Sequence, residues 1–113
     1  MHQVTIVVPV KDEEDGLQYL IRDLDESGIK EAYEILFLFV IDERTNDNSR
    51  EFAAKLSDQI VDQKGSHGKG DAIRRAIHYL ERSNHDFVVF LDADGSYSFD
   101  GVKKVLSTLE KGA

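Results

Sequence analysis

The stretch Phe87-Val88-Val89-Phe90-Leu91-Asp92-Ala93-Asp94-Gly95-Ser96 joins a run of β-branched and aromatic residues to two carboxylates one residue apart. It reads as a strand that carries acid at its own C-terminal tip. Side chains alternate along extended backbone, so Asp92 and Asp94 are expected to point the same way with Cα atoms about 7 Å apart. Two hard oxygen donors placed like that suit one divalent cation. The same residues also satisfy a plainer reading, in which Asp94-Gly95 makes a turn and Asp92 caps it. The rest of the chain has to decide between them.

Working outward, the arrangement recurs. Val4 to Val8 is a short apolar run closed by Pro9, as in a buried strand that ends where no further ladder donor is available. Asp12, Glu13, Glu14 and Asp15 then fall in what would be a first helical turn, where free amides favour negative charge. Leu17, Leu20, Ile21 and Leu24 keep the spacing of a helix with one buried stripe, and Ser27-Gly28 ends it. Tyr33 to Ile41 is almost wholly apolar and predicts a central strand covered on both faces; it too ends in acid, at Asp42-Glu43. Arg44 to Asn48 predicts a loop in which Asn46 or Asp47 caps a second helix with Phe52, Ala53 and Leu56 inside. Gln59 to Asp62 predicts a weak edge strand, and Gly65, Gly68 and Gly70 punctuate the loop after it. Ile73, Ala76, Ile77 and Leu80 mark a third amphipathic helix, and Val102, Val105, Leu106 and Leu109 a fourth.

Strands alternating with helices through short connections imply a mostly parallel sheet with helices on both faces, and ligands of such sheets bind beyond the carboxyl ends of the strands. Asp12 and Glu13, Asp42 and Glu43, and Asp92 and Asp94 all lie at such ends. Three acidic tips converging on one rim make a site hypothesis, since a cation would relieve their repulsion. Familiar phosphate motifs do not account for it. Gly65-Ser66-His67-Gly68-Lys69-Gly70 has Gln63 where a P-loop needs its first glycine and Gly70 where it needs Ser or Thr. A dinucleotide fingerprint would need glycine at Ile73, and a calcium loop would need Gly and Glu at Tyr97 and Lys103. His67 and His78 lack paired ligand spacing and read as surface residues.

Composition sets the outer limits. The 113 residues suit one domain, 1–113, and 41% hydrophobic content suits a folded globule. No segment approaches the roughly 20 uninterrupted apolar residues of a membrane span, and Met1-His2-Gln3 leads straight into a strand without a signal-peptide pattern. The expected location is cytoplasmic. Cysteine is absent, which excludes disulfides and thiolate metal sites, and a net charge of −8 disfavours nucleic acid as a partner.

Four segments in register carry a resemblance: Val-Val-Pro-Val-Lys-Asp-Glu-Glu (7 to 14), Val-Ile-Asp-Glu-Arg-Thr-Asn-Asp-Asn-Ser (40 to 49), Gly-Lys-Gly-Asp-Ala-Ile-Arg-Arg-Ala-Ile (68 to 77) and Phe-Leu-Asp-Ala-Asp-Gly-Ser-Tyr (90 to 97). Together they resemble the N-terminal half of family 2 glycosyltransferases, most of all the polyprenyl-phosphate (dolichyl-phosphate) mannose and glucose synthases. The resemblance implies a three-layer α/β/α, Rossmann-like GT-A fold, truncated. It implies that Pro9, Asp12 and Glu13 border the nucleoside of a UDP- or GDP-sugar, that Asp42 and Glu43 contact base or ribose, and that Lys69 and Gly70 face the nucleotide. Asp92 would approach the ribose or the metal, and Asp94 would ligate Mg2+ or Mn2+ on the diphosphate. The acceptor implied is a polyprenyl phosphate, which adds the cytoplasmic membrane face as a second expected location.

The departures also matter. The family's Asp-Asp-Gly-Ser-Thr-Asp-Gly-Thr is here Asp42-Glu43-Arg44-Thr45-Asn46-Asp47-Asn48-Ser49, so Arg44 and Asn48 stand where glycines served, and backbone with positive φ would suit Asn48 better than Arg44. On this reading the chain is expected to be the donor half alone, without the acceptor-binding half that the family carries beyond the position of Glu110-Lys111-Gly112-Ala113. The chain alone is therefore expected to bind donor weakly, to transfer sugar poorly or not at all, and to leave a sheet edge open to homodimerisation. Two alternatives stand beside this reading: a receiver-like phosphoacceptor domain, and a noncatalytic glycosyltransferase fragment acting through a partner chain.

Overall fold

The computed structural model describes residues 1–57 and 59–112. Strands β1 (His2–Val10), β2 (Tyr33–Asp42), β3 (Ile60–Gln63) and β4 (Phe87–Phe90) form one sheet in the order β3-β2-β1-β4, every pair parallel. Helices α1 (Glu14–Ser27), α2 (Ser49–Leu56), α3 (Lys69–Leu80) and α4 (Phe99–Glu110) alternate with them, and a 3-10 turn at Ile29–Glu31 leads into β2. Gly28 closes α1 in the left-handed conformation, at φ 71°.

The order of the strands decides where the helices lie. From β1 the chain moves outward to β2 and β3, then returns past β1 to place β4. Right-handed crossovers in opposite directions put their helices on opposite faces. Val4, Ile6 and Val8 of β1 and Phe37, Phe39 and Ile41 of β2 accordingly pack with Leu17, Leu20 and Leu24 of α1, Ala53 of α2, and Phe99, Val102 and Leu106 of α4. Val7, Leu38 and Val40 point the other way, onto Ala72, Ala76 and Leu80 of α3. The result is the expected three-layer α/β/α architecture.

Several expectations need correcting. β1 does not stop at Pro9, which pairs with Val40 and is followed by Val10 opposite Ile41. The Val7 carbonyl accepts from Leu91 N–H on the β4 side, so the missing N–H of Pro9, two residues on, falls on the side where β4 has already ended. The edge strand is Ile60–Gln63, one residue later than expected. Asp12 and Glu13 precede α1 instead of lying in its first turn, which holds Glu14 and Asp15. Ile77, Val105 and Leu109 were expected inside but are 54%, 55% and 44% exposed. Together with Phe90 they flank the outer side of β4, where no further element of the described residues packs.

Candidate functional site

The strand order reverses between β1 and β4, so the crevice of this fold opens beyond their carboxyl ends. A cavity of about 210 Å³ lies there, lined by Pro9, Val10, Lys11, Glu13, Asp42, Arg44, Gln63, Gly68, Lys69, Ala72 and Asp92. Every strand of the sheet contributes a terminus to it or a residue just past one.

The wall after β1 is fastened to the loop after β2 by side-chain bonds. Glu13 N–H donates to Ser49 Oγ at 2.7 Å, Glu14 N–H to Asp47 Oδ2 at 3.3 Å, and Asn46 N–H to Asp12 Oδ1 at 2.9 Å. Asp47 also takes the amide of Ser49 at 2.9 Å, so it serves the start of α2 from one residue ahead of the cap position, which Asn48 holds. Asp12 reaches its partner from φ 51°, a conformation that Asp and Asn tolerate better than most residues. Arg44 and Asn48 have no such demand on them, because Asp12 is the one non-glycine residue with positive φ among those described. The glycines of the family pattern were therefore not needed here for backbone freedom. Glu13 ends up with a raised pKa, first from burial and then from Asp94, Asp47, Asp12 and Asp92, so the rim carries a converging negative field.

Beyond β4 the extended backbone gives way to a turn, and simple alternation of Asp92 and Asp94 does not hold. Asp94 Oδ1 accepts from Ser96 N–H at 2.9 Å and Gly95 sits at φ 80°. Bonds from Ser96 hold the Asp94 carboxyl below its usual range. Asp92 instead meets Lys69, whose Nζ lies 2.9 Å from Oδ1 and 3.1 Å from Oδ2, and that bond raises the lysine pKa. The turn rests directly on α1: a methyl group on Gly16 would stand 1.6 Å from the Ala93 carbonyl oxygen. No spacing rule in the sequence pointed to Gly16. Helices disfavour glycine, and only the close approach explains it.

Asp42 is buried, at 3% exposure, and fully engaged. Its Oδ1 accepts from Arg44 N–H at 2.8 Å and Arg44 Nε–H at 3.0 Å, its Oδ2 accepts from Arg44 Nη2 at 2.8 Å, and His67 Nδ1 stands 3.3 Å from Oδ2. The Arg44 side-chain bonds outweigh burial and hold the carboxyl far below the usual range. Asp71, bonded by Gln63, Arg75 and Arg74 at the start of α3, is depressed in the same direction. Depressed carboxylates stabilise the fold above their unfolded pKa, about 4, and lose that contribution as pH falls toward the folded value. The thermal midpoint is thus expected to fall between pH 5 and pH 3, and Asp42→Asn with Asp71→Asn should flatten that fall. Equal acid sensitivity in the double variant would show that other groups govern it.

Of the residues expected at the site, Pro9, Glu13, Asp42, Lys69 and Asp92 line the cavity. Asp12, Glu43, Gly70 and Asp94 do not: Asp12 and Asp94 brace loops, and Glu43 accepts from Gly65 N–H at 3.3 Å. Arg44, Gln63 and Lys11 were not expected as lining residues. Arg44 was visible as a departure from a glycine, whereas Gln63 gave no signal. His67 is exposed as expected, and its Nδ1 also stands beside Asp42. Among the described residues no three His, Cys, Asp or Glu side chains gather closely enough to hold a metal alone.

Residues 5–113 match the profile of Glycosyl transferase family 2. The chain belongs to glycosyltransferase family 2. It is 31% identical over 109 residues to glycosyltransferase AglJ of Haloferax volcanii, covering 96% of this chain and 33% of that protein. Its backbone matches a crystal structure of S. aureus TarS, residues 1–349, with a TM-score of 0.74 at 18% identity, over 96% of this chain and 32% of the other. The fold is that of GT-A glycosyltransferases, and this chain spans about a third of each relative. Membership of that family leaves the receiver-like alternative without support. No helix among the described residues is long and apolar enough to cross a membrane.

Proposed function

We propose that this chain is the donor-binding part of a family 2 glycosyltransferase that holds a nucleotide-diphosphate sugar, UDP- or GDP-linked, for transfer to an acceptor such as a polyprenyl phosphate, in the cytoplasm or at its membrane face. The observation that carries the reading is the cavity at the reversal of strand order, where Lys69, Asp92 and the start of α3 meet. In this reading Asp92 and Asp94 hold Mg2+ or Mn2+, with the diphosphate and water completing its ligands. The cation, when bound, offsets the diphosphate charge and stabilises the departing nucleotide.

The chain's own groups do the rest. Lys69 is 61% exposed and paired with Asp92, so it can leave that carboxylate for a phosphate oxygen at little cost. The amides at the N-terminus of α3, preceded by Gly68 at φ 95°, favour the same anion. Pro9 and Glu13 line the same cavity and, in this reading, border the nucleoside.

Titration by NMR with UDP-glucose and GDP-mannose, each with and without metal, tests the reading. Expected are paramagnetic broadening by manganese centred on Asp92 to Ser96, and nucleotide-dependent shifts at Pro9 to Glu13 and at Lys69. Absence of both with every donor and metal would remove the proposal.

A further inference from the structure

Resting on the nucleotide reading, we infer that Arg44 sets the base preference of this site, selecting a base that presents two adjacent hydrogen-bond acceptors and rejecting uracil and adenine. A carboxylate offers about four acceptor positions. At Asp42 three of these are taken by Arg44 N–H, Nε–H and Nη2–H, and His67 Nδ1 stands 3.3 Å from Oδ2. At 3% exposure, Asp42 offers little surface to a further donor from the cavity that it helps to line. Asp42 is therefore a poor acceptor for the N3–H of uracil, and the guanidinium, 51% exposed against 5% for the Asp42 side chain, is the larger polar group facing the cavity.

A guanidinium carries five N–H groups. Two of Arg44's point at Asp42, which also holds the plane of the group in one orientation. The other three, on Nη1 and Nη2, meet no acceptor among the described residues, while the side chain is 51% exposed and lines the cavity. A paired-donor edge fits O6 and N7 of guanine, or O2 and N3 of cytosine. Uracil sets N3–H between its two carbonyls, and adenine offers N7 beside an amino group, so each leaves a donor facing a cation.

Calorimetric titration of the magnesium-loaded chain with GDP, CDP, UDP and ADP, and with inorganic pyrophosphate as the base-free probe, tests this. GDP or CDP should bind roughly tenfold or more tightly than UDP and ADP, and the better of the two identifies the base. Arg44→Gly restores the family's residue and frees Asp42, so UDP should gain while GDP and CDP lose, with pyrophosphate unchanged. Arg44→Lys keeps a charge beside Asp42 without the paired edge, and should lose the discrimination even if the glycine variant folds poorly. Equal binding of all four nucleotides by the native chain, or undiminished discrimination in Arg44→Lys, would overturn the role of Arg44 and leave the nucleotide site standing. Failure of pyrophosphate and every nucleotide to bind would overturn both.

Discussion

Gly16→Ala is expected to destabilise the chain and to disable the site, although alanine is the better helix residue by about 1 kcal/mol. The added methyl would stand 1.6 Å from the Ala93 carbonyl oxygen, 2.8 Å from its carbon and 3.3 Å from the Asp94 Cα. These are backbone atoms, so no side chain can swing aside. Either α1 or the turn from Asp92 to Ser96 must move. Overpacking of this kind costs about 1–3 kcal/mol and can cost more, which exceeds the gain in helix propensity. A displacement of about 1 Å at catalytic groups can lower activity roughly 100-fold, and a comparable loss is expected in metal-dependent nucleotide binding. Gly70→Ala provides the contrast. It lies in the first turn of α3 with nothing within 4 Å of an added methyl, so the same exchange should stabilise by about 0.5–1 kcal/mol. Urea unfolding of both variants, with manganese broadening as the second readout, separates the cases. A Gly16→Ala chain as stable as the native one, with intact broadening, would mean that the contact is easily relieved.

Asp92→Asn with Asp94→Asn should produce the opposite pattern, with stability nearly kept and metal response abolished. The Asp92–Lys69 pair is solvent-accessible on both sides, and such pairs contribute about 0–1 kcal/mol. Amide oxygens also keep much of the hydrogen bonding at the turn. A cation held by two carboxylates, however, loses its charge partners when both become amides, and affinity should fall by at least about tenfold. Asp62→Asn serves as control, since it removes a surface pair with Arg50 (2.7 Å) whose acid lies outside the cavity. Unchanged manganese broadening in the double variant would dissociate the metal from the Asp-x-Asp segment.

How much of this was readable beforehand depends on the range of the interaction involved. Apolar runs at Val4 to Val8 and Tyr33 to Ile41 announce strands because burial on both faces leaves no room for polar alternation, and Phe87 to Phe90 announces one by its β-branched and aromatic content although it is only partly covered. Leu17, Leu20 and Leu24 announce a buried helix face for the matching reason. The stripe on α4 was read too wide, since periodicity marks which side of a helix is apolar and is silent about how much of it a neighbour covers. Val102 and Leu106 meet the sheet, whereas Val105 and Leu109 look out past its last strand. Of the cavity-lining residues, Glu13, Asp42 and Asp92 were legible as acids at strand ends, and Lys69 only through the family resemblance. The bond from Arg44 to Asp42 was not, although only two positions separate them, because glycine's absence says nothing about where its replacement turns.

The amino-acid sequence by itself determined the alternating α/β order and the acidic tips, which rest on residue type and local spacing, and its four motifs in register carried the resemblance to the glycosyltransferase family to which the chain belongs. The tertiary structure alone decided the order β3-β2-β1-β4, the close passage of Gly16 beneath Ala93, and the conversion of the Asp42 carboxylate into a mount for a guanidinium. The strand order and the Gly16 passage join segments far apart in the chain, where the cost of closing long loops is offset only by packing that local pattern does not encode. The Asp42–Arg44 pair is local in sequence, yet it depends on burial supplied by the strands on either side.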